Sequence, residues 1–268
     1  EVIIPGSTAG TYMFLYQMQP EGTSVRDGLY QDNGRRIGLD TNIALESFDR
    51  LCNLFTQYSL PITADFVNRF RTGEVPLAIT NYSAYTQLSL YAPEIKGLWE
   101  FVPIPGWARA DGTINNTSIA SVTSIVMPRG NRSEEKANNA WQFMKWYAGH
   151  NNQSRYANEY TALFGQQSKY TTANKIALEA LPWTTQEKNN IQAQMENTQA
   201  VPDYPGSYII TRYVEFAFLA AYNDNVDPVT SMLNYITDIN KEISRKRKEF
   251  DLDAYEISYS SNFTVSQN

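Results

Sequence analysis

Apolar and polar positions change period several times along this chain, and each change predicts an element. Val2-Ile3-Ile4 is an unbroken apolar run and reads as a buried strand; Pro5-Gly6-Ser7-Thr8-Ala9-Gly10 punctuates it, and Thr11 to Gln17 reads as a short helix. Gly28 to Leu39 resembles a hairpin with Asp32-Asn33-Gly34 as its tight turn. Asp40 or Thr41 caps a helix to about Tyr58, with a stripe of Ala44, Phe48, Leu51, Cys52 and Phe55. Thr63 caps the next helix, in which Phe66, Val67 and Phe70 share one face and Gly73 supplies a left-handed stop. Val75 to Thr80 follows as a short apolar strand, and Pro76 suggests an edge position or an N–H that points away from a neighbour. Asn81-Tyr82-Ser83-Ala84-Tyr85 reads as the loop leaving that strand's carboxyl end, where open α/β sheets bind ligands, and a short helix continues to Tyr91.

In the second half, Trp99 to Ile104 alternates like a strand, Pro105-Gly106-Trp107 breaks it, and Ala110 to Thr117 is polar loop. Val122 to Met127 is another apolar strand, closed by Pro128. Ser133 caps a helix with Glu134 and Glu135 in its first turn, and Gly149 stops it. Its stripe of Ala137, Ala140, Trp141, Met144 and Ala148 is widened by Phe143 and Trp146. A helix over Asn152 to Leu163 stops before Gly165, and Thr184 with Glu187 forms a capping box for a polar helix through Glu196. Val201 to Gly206 is a linker-like turn. Ile209 to Tyr222 is apolar on every side apart from Arg212 and Glu215, which predicts deep burial. Asp227-Pro228 opens a long amphipathic helix marked by Val229, Met232, Leu233, Ile236, Ile239 and Ile243. The pattern fades beyond Phe250, and Ser258 to Asn268 reads as a loose tail or a late strand.

Composition narrows the chemistry. Aromatics make up 13% of the 268 residues, with 18 Tyr and 5 Trp, and such side chains join an apolar face to a hydrogen-bonding tip that suits sugar or peptide surfaces. Many tyrosines also simply cover the surface of a large fold. At 42% hydrophobic the chain can bury a sizeable core in one or two domains. A formal charge of -6 and a pI near 5.0 argue against a nucleic-acid partner, whose binding rests on neutralising phosphate. The run Arg245-Lys246-Arg247-Lys248 falls in the last turns of a predicted helix, where cations complement the dipole. The single cysteine, Cys52, forms no intramolecular disulfide and sits on a buried stripe. No apolar run approaches the ~20 residues that span a bilayer. There is no signal peptide, and Glu1-Val2-Ile3-Ile4 looks like a strand already under way, so the chain is expected to be a segment of a longer protein.

Catalysis finds little footing. The only His is His150, at a helix end beside Gly149, and it does not converge with Cys52 or a serine into a nucleophilic arrangement. Gly6-Ser7-Thr8-Ala9-Gly10 is no nucleophile elbow, and no Walker loop or dinucleotide fingerprint appears. Asp224-Asn225-Val226-Asp227 lacks the spacing and terminal Glu of a calcium loop and reads as a turn with a helix cap. No cofactor and no metal are expected. Asn115-Asn116-Thr117 and Asn131-Arg132-Ser133 match glycosylation sequons, tripeptides that arise easily by chance. Paired carboxylates need not be neighbours in the chain, so a carbohydrate-active enzyme domain stays open as an alternative, as does a structural module of a larger surface protein.

The order of the pieces resembles the C-terminal part of bacterial extracellular solute-binding proteins of ABC importers, in the group that includes maltose-binding protein. Phe70-Arg71-Thr72-Gly73-Glu74-Val75-Pro76-Leu77-Ala78-Ile79 is similar to that family's helix–Gly-Glu–strand segment, and Pro103-Ile104-Pro105-Gly106 to its Pro-Gly loop. Ala137 to Tyr147, with Trp141-Gln142-Phe143-Met144-Lys145-Trp146, resembles its Ala-Trp-x-Phe helix; Tyr156 to Gly165 resembles its following Tyr-rich helix, and Val201-Pro202-Asp203-Tyr204-Pro205 its late proline turn. The likeness covers about Val2 to Phe250 and rests on order and spacing together.

The resemblance implies an α/β fold of the periplasmic-binding-protein-like kind (type II), mainly the C-terminal lobe with the first lobe's main sheet absent. Residues 1–128 and 206–250 would form the second, ligand-binding lobe, 129–205 a helical segment that packs on the missing first lobe, and 251–268 a tail. It implies capture of a small solute, most often an oligosaccharide, for a membrane ABC permease. The protein would be extracellular and held at the cell surface by a lipid anchor outside this segment. Site residues follow by position: Tyr82, Ser83 and Tyr85 after the strand used for aromatic stacking, Tyr208 and Arg212 near the start of the helix after the proline turn, and Thr11 and Tyr12 after the first strand. Trp107, which follows a Pro-Gly break in a polar loop, is a further candidate platform because an exposed Trp covers something. Arg212 can bond sugar hydroxyls or a carboxylate, or equally pair with Glu215.

Overall fold

The computed structural model of the chain describes residues 2–120 and 123–254, without the side chain of Val25. In chain order the elements are β1 (Val2–Ile3), α1 (Ser7–Met18), α2 (Val25–Leu29), β2 (Tyr30–Gln31), β3 (Arg36–Ile37), α3 (Asn42–Thr56), α4 (Phe66–Arg71), β4 (Leu77–Ala78), α5 (Ser83–Tyr91), β5 (Trp107–Ala108), β6 (Ile114–Asn115), β7 (Ser118–Ala120), α6 (Glu134–Ala148), α7 (His150–Phe164), α8 (Lys175–Glu179), α9 (Thr185–Glu196), β8 (Thr198–Ala200), α10 (Tyr208–Asn223) and α11 (Pro228–Glu249). Contacts divide them into a mixed unit, residues 2–5 with 60–200, and a helical unit, residues 6–59 with those from 201 on.

The helical unit packs α1, α3, α10 and α11 around one core. The expected stripe of α3 is buried throughout: Ala44, Phe48, Leu51, Cys52 and Phe55 are all at most 2% exposed. Phe55 meets Phe218 of α10 edge-on at 5.1 Å, and Met232, Ile239 and Ile243 of α11 close the core. Each large side chain buried in this way contributes roughly 1.5–3 kcal/mol. Thr41 caps α3 by accepting from the Ala44 N–H, and Asp227 caps α11 by accepting from the Thr230 N–H at 2.8 Å. The expected hairpin forms, Tyr30 opposite Ile37 and Gln31 opposite Arg36. Its turn holds Asp32, Asn33 and Gly34 at φ of 52, 57 and 80°, the left-handed region that Asp, Asn and Gly tolerate best. Asn240 of α11 pins the hairpin by accepting from the Ile37 N–H at 2.8 Å inside the core.

Two expectations change here. The glycine-rich stretch 7–10 is no loop but the first turn of α1, with Gly6 as its extended N-cap and the Gly10 N–H on the Gly6 carbonyl at 3.1 Å. Helix α10 is buried on one side only, through Ile210, Val214, Ala217, Phe218 and Ala221, while Tyr208, Phe216 and Tyr222 are exposed.

The mixed unit is built on very short strands. β1 pairs with β4 in parallel over two residues each, and Leu77 is 64% exposed, so neither is the buried strand its apolar run predicts. Asp65 rather than Thr63 caps α4, and Gly73 ends it at φ +77°. Trp99 to Ile104 pairs with no strand, because side chains of α9 take its backbone groups: Asn190 donates to the Phe101 carbonyl at 2.9 Å and Gln194 accepts from the Ile104 N–H at 2.8 Å. The expected polar loop at 110–117 is the β5–β6 hairpin, its turn made by Gly112 at φ +84° and by Asp111 accepting from the Thr113 N–H. The expected strand at 122–127 is absent from 123 on, and residue 122 lies outside the described residues; pairing occurs instead just before it, between β7 and β8. The sequon residues Asn115 and Thr117 bond to each other in the interior at 2.6 Å.

Ser133 caps α6, and the Thr184–Glu187 capping box opens α9. No residue of α6 is buried, and Trp141, Phe143, Trp146 and Tyr147 are each at least half exposed. Side chains of α7 bond its last carbonyls, Asn152 to Trp146 at 2.6 Å and Gln153 to Tyr147 at 2.7 Å. The unit's core is Ala157, Leu178, Leu181, Trp183 and Ile191. The expected tail at Ser258–Asn268 lies outside the described residues.

Candidate functional site

Tyr82, Ser83 and Tyr85 open a helix instead of lining a loop. Asn81 causes this: its side-chain oxygen accepts from the Ser83 N–H at 3.0 Å and from the Ser83 hydroxyl, which starts α5. Tyr82 precedes the first turn and Tyr85 lies within it, so the two rings stack at 5.9 Å with 11° between their planes. Trp183 stands edge-on to both, at 5.3 and 5.1 Å, and Phe101 does the same at 5.8 and 5.9 Å. Trp99 meets Tyr85 at 5.6 Å. T-shaped pairs of this kind add about 0.5–1.5 kcal/mol each beyond area burial. Tyr82 and Tyr85 keep part of their surface while Trp183 is 7% exposed, so Trp183 is the packed side of the wall.

A buried cation backs the wall. Lys169, 5% exposed, holds its ammonium 4.7 Å from the Trp183 ring centroid and 5.9 Å from that of Tyr85. It reaches Glu187 at 3.2 Å, and the same carboxylate oxygen accepts from the Thr184 N–H at 2.9 Å as part of the cap of α9. Burial pushes the Glu187 carboxyl up, but the Thr184 N–H and the Lys169 ammonium outweigh it and hold it below its ordinary range. Burial, then Glu187, pushes the Tyr85 phenol up to about 12, and burial raises Tyr82 further. Both phenols are therefore neutral hydrogen-bonding groups at physiological pH. The Tyr82 hydroxyl is buried with no hydrogen-bond partner among the described residues, a costly state for a polar atom.

Trp107 sits at the start of β5, half-buried, opposite Asn115 in the hairpin. In the helical unit Tyr208 is 62% exposed at the first position of α10, its hydroxyl donating to Glu242. Arg245 clamps the same carboxylate at 2.8 and 2.7 Å, and these two partners, Arg245 first, hold Glu242 down at about 2. Arg212 and Glu215 are both exposed on α10. Thr11 and Tyr12 are interior groups of α1: the Thr11 hydroxyl donates to the Ser7 carbonyl at 2.7 Å, and Tyr12 stacks on Tyr16 at 6.3 Å. They point inward because the residues before them are helical, not loop. Trp99, Phe101, Lys169 and Trp183 escape a sequence reading of the wall, since they join it from segments distant in the chain.

Among the described residues no group of three or more His, Cys, Asp or Glu is placed to hold a metal ion, and no helix is long and apolar enough to cross a membrane. Residues 10–177 match the family described as bacterial extracellular solute-binding protein. The chain belongs to that family. No curated protein matches it. Among solved structures, this solute-binding protein is similar to an ABC transporter solute-binding protein from Thermotoga lettingae TMO bound with alpha-D-tagatose, at TM-score 0.64 and 16% identity over 90% of this chain and 60% of that one. It is similar to maltose-bound MalE3 of T. maritima (TM-score 0.54, 16% identity, 94% of this chain and 60% of that one). The third is the maltose-maltodextrin binding protein of Alicyclobacillus acidocaldarius (TM-score 0.54, 12% identity, 88% and 61%). These likenesses establish the fold: helix-rich α/β, periplasmic-binding-protein-like, with this chain spanning about 60% of the neighbours' length.

Proposed function

We propose that this chain is part of an extracellular protein that captures a carbohydrate for an ABC importer and leaves its covalent bonds intact. The observation that carries the reading is the wall of Tyr82 and Tyr85 backed by Trp183: flat rings with neutral phenols. A sugar ring offers C–H faces to such rings and a hydroxyl to the Tyr85 tip. Membership of a solute-binding family and neighbours described with tagatose and maltose support a binder over an enzyme. In the mixed unit Ser83 and Trp107 are proposed as further ligand contacts, and in the helical unit Tyr208 and Arg212; Thr11 and Tyr12 would act through packing. An ABC permease is the proposed partner and a lipid anchor the proposed tether at the cell surface.

The lobe assignment belongs to this proposal. Residues 1–128 with 206–250 would supply the ligand-binding lobe of the parent protein, with Lys169 and Trp183 packed on it, and the exposed face of α6 within 129–205 would pack on the other lobe. The exposed Trp141, Phe143, Trp146 and Tyr147 of α6 support that packing, since rings this exposed are costly unless covered. Calorimetric titration of the intact protein with maltose-, xylose- and mannose-type oligosaccharides tests the function. The expected result is saturable binding without turnover. Turnover would mark an enzyme instead, and an affinity unchanged by both Tyr82→Ala and Trp107→Ala would overturn the site.

A further inference from the structure

Helix α9 carries Glu187, Asn190, Ile191 and Gln194 at the three- and four-residue spacing that lines side chains up on one face. Ile191 is buried in the core with Trp183, and Glu187 meets Lys169 at 3.2 Å. The other two side chains reach residues 99–104. Asn190 donates a side-chain N–H to the Phe101 carbonyl at 2.9 Å, and Gln194 accepts from the Ile104 N–H at 2.8 Å. The amide nitrogen of Gln194 donates to the Asn116 carbonyl at 3.2 Å and to the Ser118 hydroxyl at 3.1 Å, so this side chain is itself held in place. Among the described residues no backbone–backbone hydrogen bond forms at 99–104. Burial along the stretch nevertheless alternates as it does in a strand: Trp99, Phe101 and Pro103 are half-buried, and Glu100 and Val102 are exposed. A strand takes its register from the backbone beside it, whereas this segment takes its register from two side chains of a helix. A slip of one residue would turn Trp99 and Phe101 outward and carry Glu100 and Val102 inward. The slip would be felt at the ring wall, because Phe101 stands edge-on to Tyr82 and Tyr85 at 5.8 and 5.9 Å and Trp99 meets Tyr85 at 5.6 Å.

We propose that Asn190 and Gln194 are positioning residues of the ligand wall. They touch no ligand themselves; by fixing the register of 99–104 they make Trp99 and Phe101 the rings that bound the stacked pair of Tyr82 and Tyr85. The proposal rests on the reading of that wall as the binding site and adds to it the two residues that set its outline.

The test uses the intact protein labelled with fluorotryptophan, its fluorine signals assigned by single Trp→Phe substitutions. Gln194→Met and Gln194→Glu both lose the donor to Asn116 and Ser118, but only Glu keeps an acceptor for the Ile104 N–H. The Trp99 signal should move in Asn190→Ala and in Gln194→Met and return toward its wild-type position in Gln194→Glu, while the Trp141 and Trp146 signals of α6 stay still. Calorimetry with maltose and with tagatose should show binding weakened about twofold to tenfold in Asn190→Ala and Gln194→Met, the span one ring contact accounts for, and largely restored in Gln194→Glu. In a Phe101→Leu background Asn190→Ala should weaken binding less than it does alone, because the ring it positions is gone. Thermal midpoints show that each variant is folded, and Asn190→Ser takes the place of Asn190→Ala if the latter does not fold. A Trp99 signal that stays still, or that moves with no loss of affinity, overturns the positioning role and leaves the carbohydrate reading standing. A loss that Gln194→Glu fails to restore does the same. If the wild type binds neither sugar nor any of the oligosaccharides, the reading falls and the proposal with it.

Discussion

Removing the Lys169 ammonium tests whether the aromatic wall is held from behind. Lys169 and Glu187 lie 3.2 Å apart with side-chain exposures of 4% and 22%. At an effective dielectric near 20 their attraction is roughly 5 kcal/mol, most of it offset by desolvation. Deleting one partner does not simply return that balance; it strands the other, at about 3–5 kcal/mol. Lys169→Met leaves Glu187 partly hydrated and still capping α9, so the low end applies, about 3 kcal/mol. Glu187→Gln strands the more deeply buried Lys169, whose remaining partners are the rings of Trp183 and Tyr85, and should cost about 4 kcal/mol. The double variant, with no buried charge left, should be more stable than the sum of the singles by about 2 kcal/mol or more. Urea unfolding at pH 7, followed by tryptophan fluorescence, measures all four proteins. The sign with pH follows from the lowered Glu187 carboxyl: its contribution is present above the unfolded value and lost as pH falls through the folded one. Single effects that add within about 0.5 kcal/mol would refute the coupling.

Three further outcomes are expected. Asn240→Ala removes the acceptor for the buried Ile37 N–H and should cost about 1–3 kcal/mol, with faster hydrogen exchange at Ile37 as the local reading. Glu242, held from 4.5 down to about 2 by Arg245 and Tyr208, stabilises the fold above its unfolded value. The stability gap between wild type and Glu242→Gln should therefore be constant above about pH 5 and close as pH falls from 4.5 toward 2. Burial pushes the Cys52 thiol up to about 12, so a thiol reagent at neutral pH should label it only in denaturant; labelling of the native protein would contradict its placement in the core.

What was legible in the sequence was local. Thr41, Ser133, Thr184 with Glu187, and Asp227 announce helix starts through contacts three residues long, and each caps as expected. The stripe of α3, and that of α11 apart from the exposed Leu233, show a period that one packed face explains. The failures come where a distant segment decides. Trp99 to Ile104 alternates like a strand, yet α9 side chains some ninety positions on take its backbone bonds, so its alternation records side-chain packing and not a ladder. Stretch 7–10 has a loop's composition, yet it continues a helix whose buried face lies against α3 and α10. The candidate wall was half legible for the same reason: Tyr82 and Tyr85 are neighbours in sequence, but Trp183 and Lys169 reach them across a hundred residues or nearly so.

Aromatic content alone carries little meaning until burial divides it. In the wall, Trp183 is spent on packing against Tyr82 and Tyr85; rings held by packing would lose little side-chain entropy to a flat ligand. On α6 the Phe143 ring meets those of Trp146 and Tyr147 at 5.7 and 6.1 Å, and no residue of that helix is buried. A platform needs support behind it as well as exposed surface. The wall has packed support and partly exposed rings, and α6 has only the exposed rings. That asymmetry is the physical ground for proposing a ligand at Tyr82 and Tyr85 and a protein surface at α6.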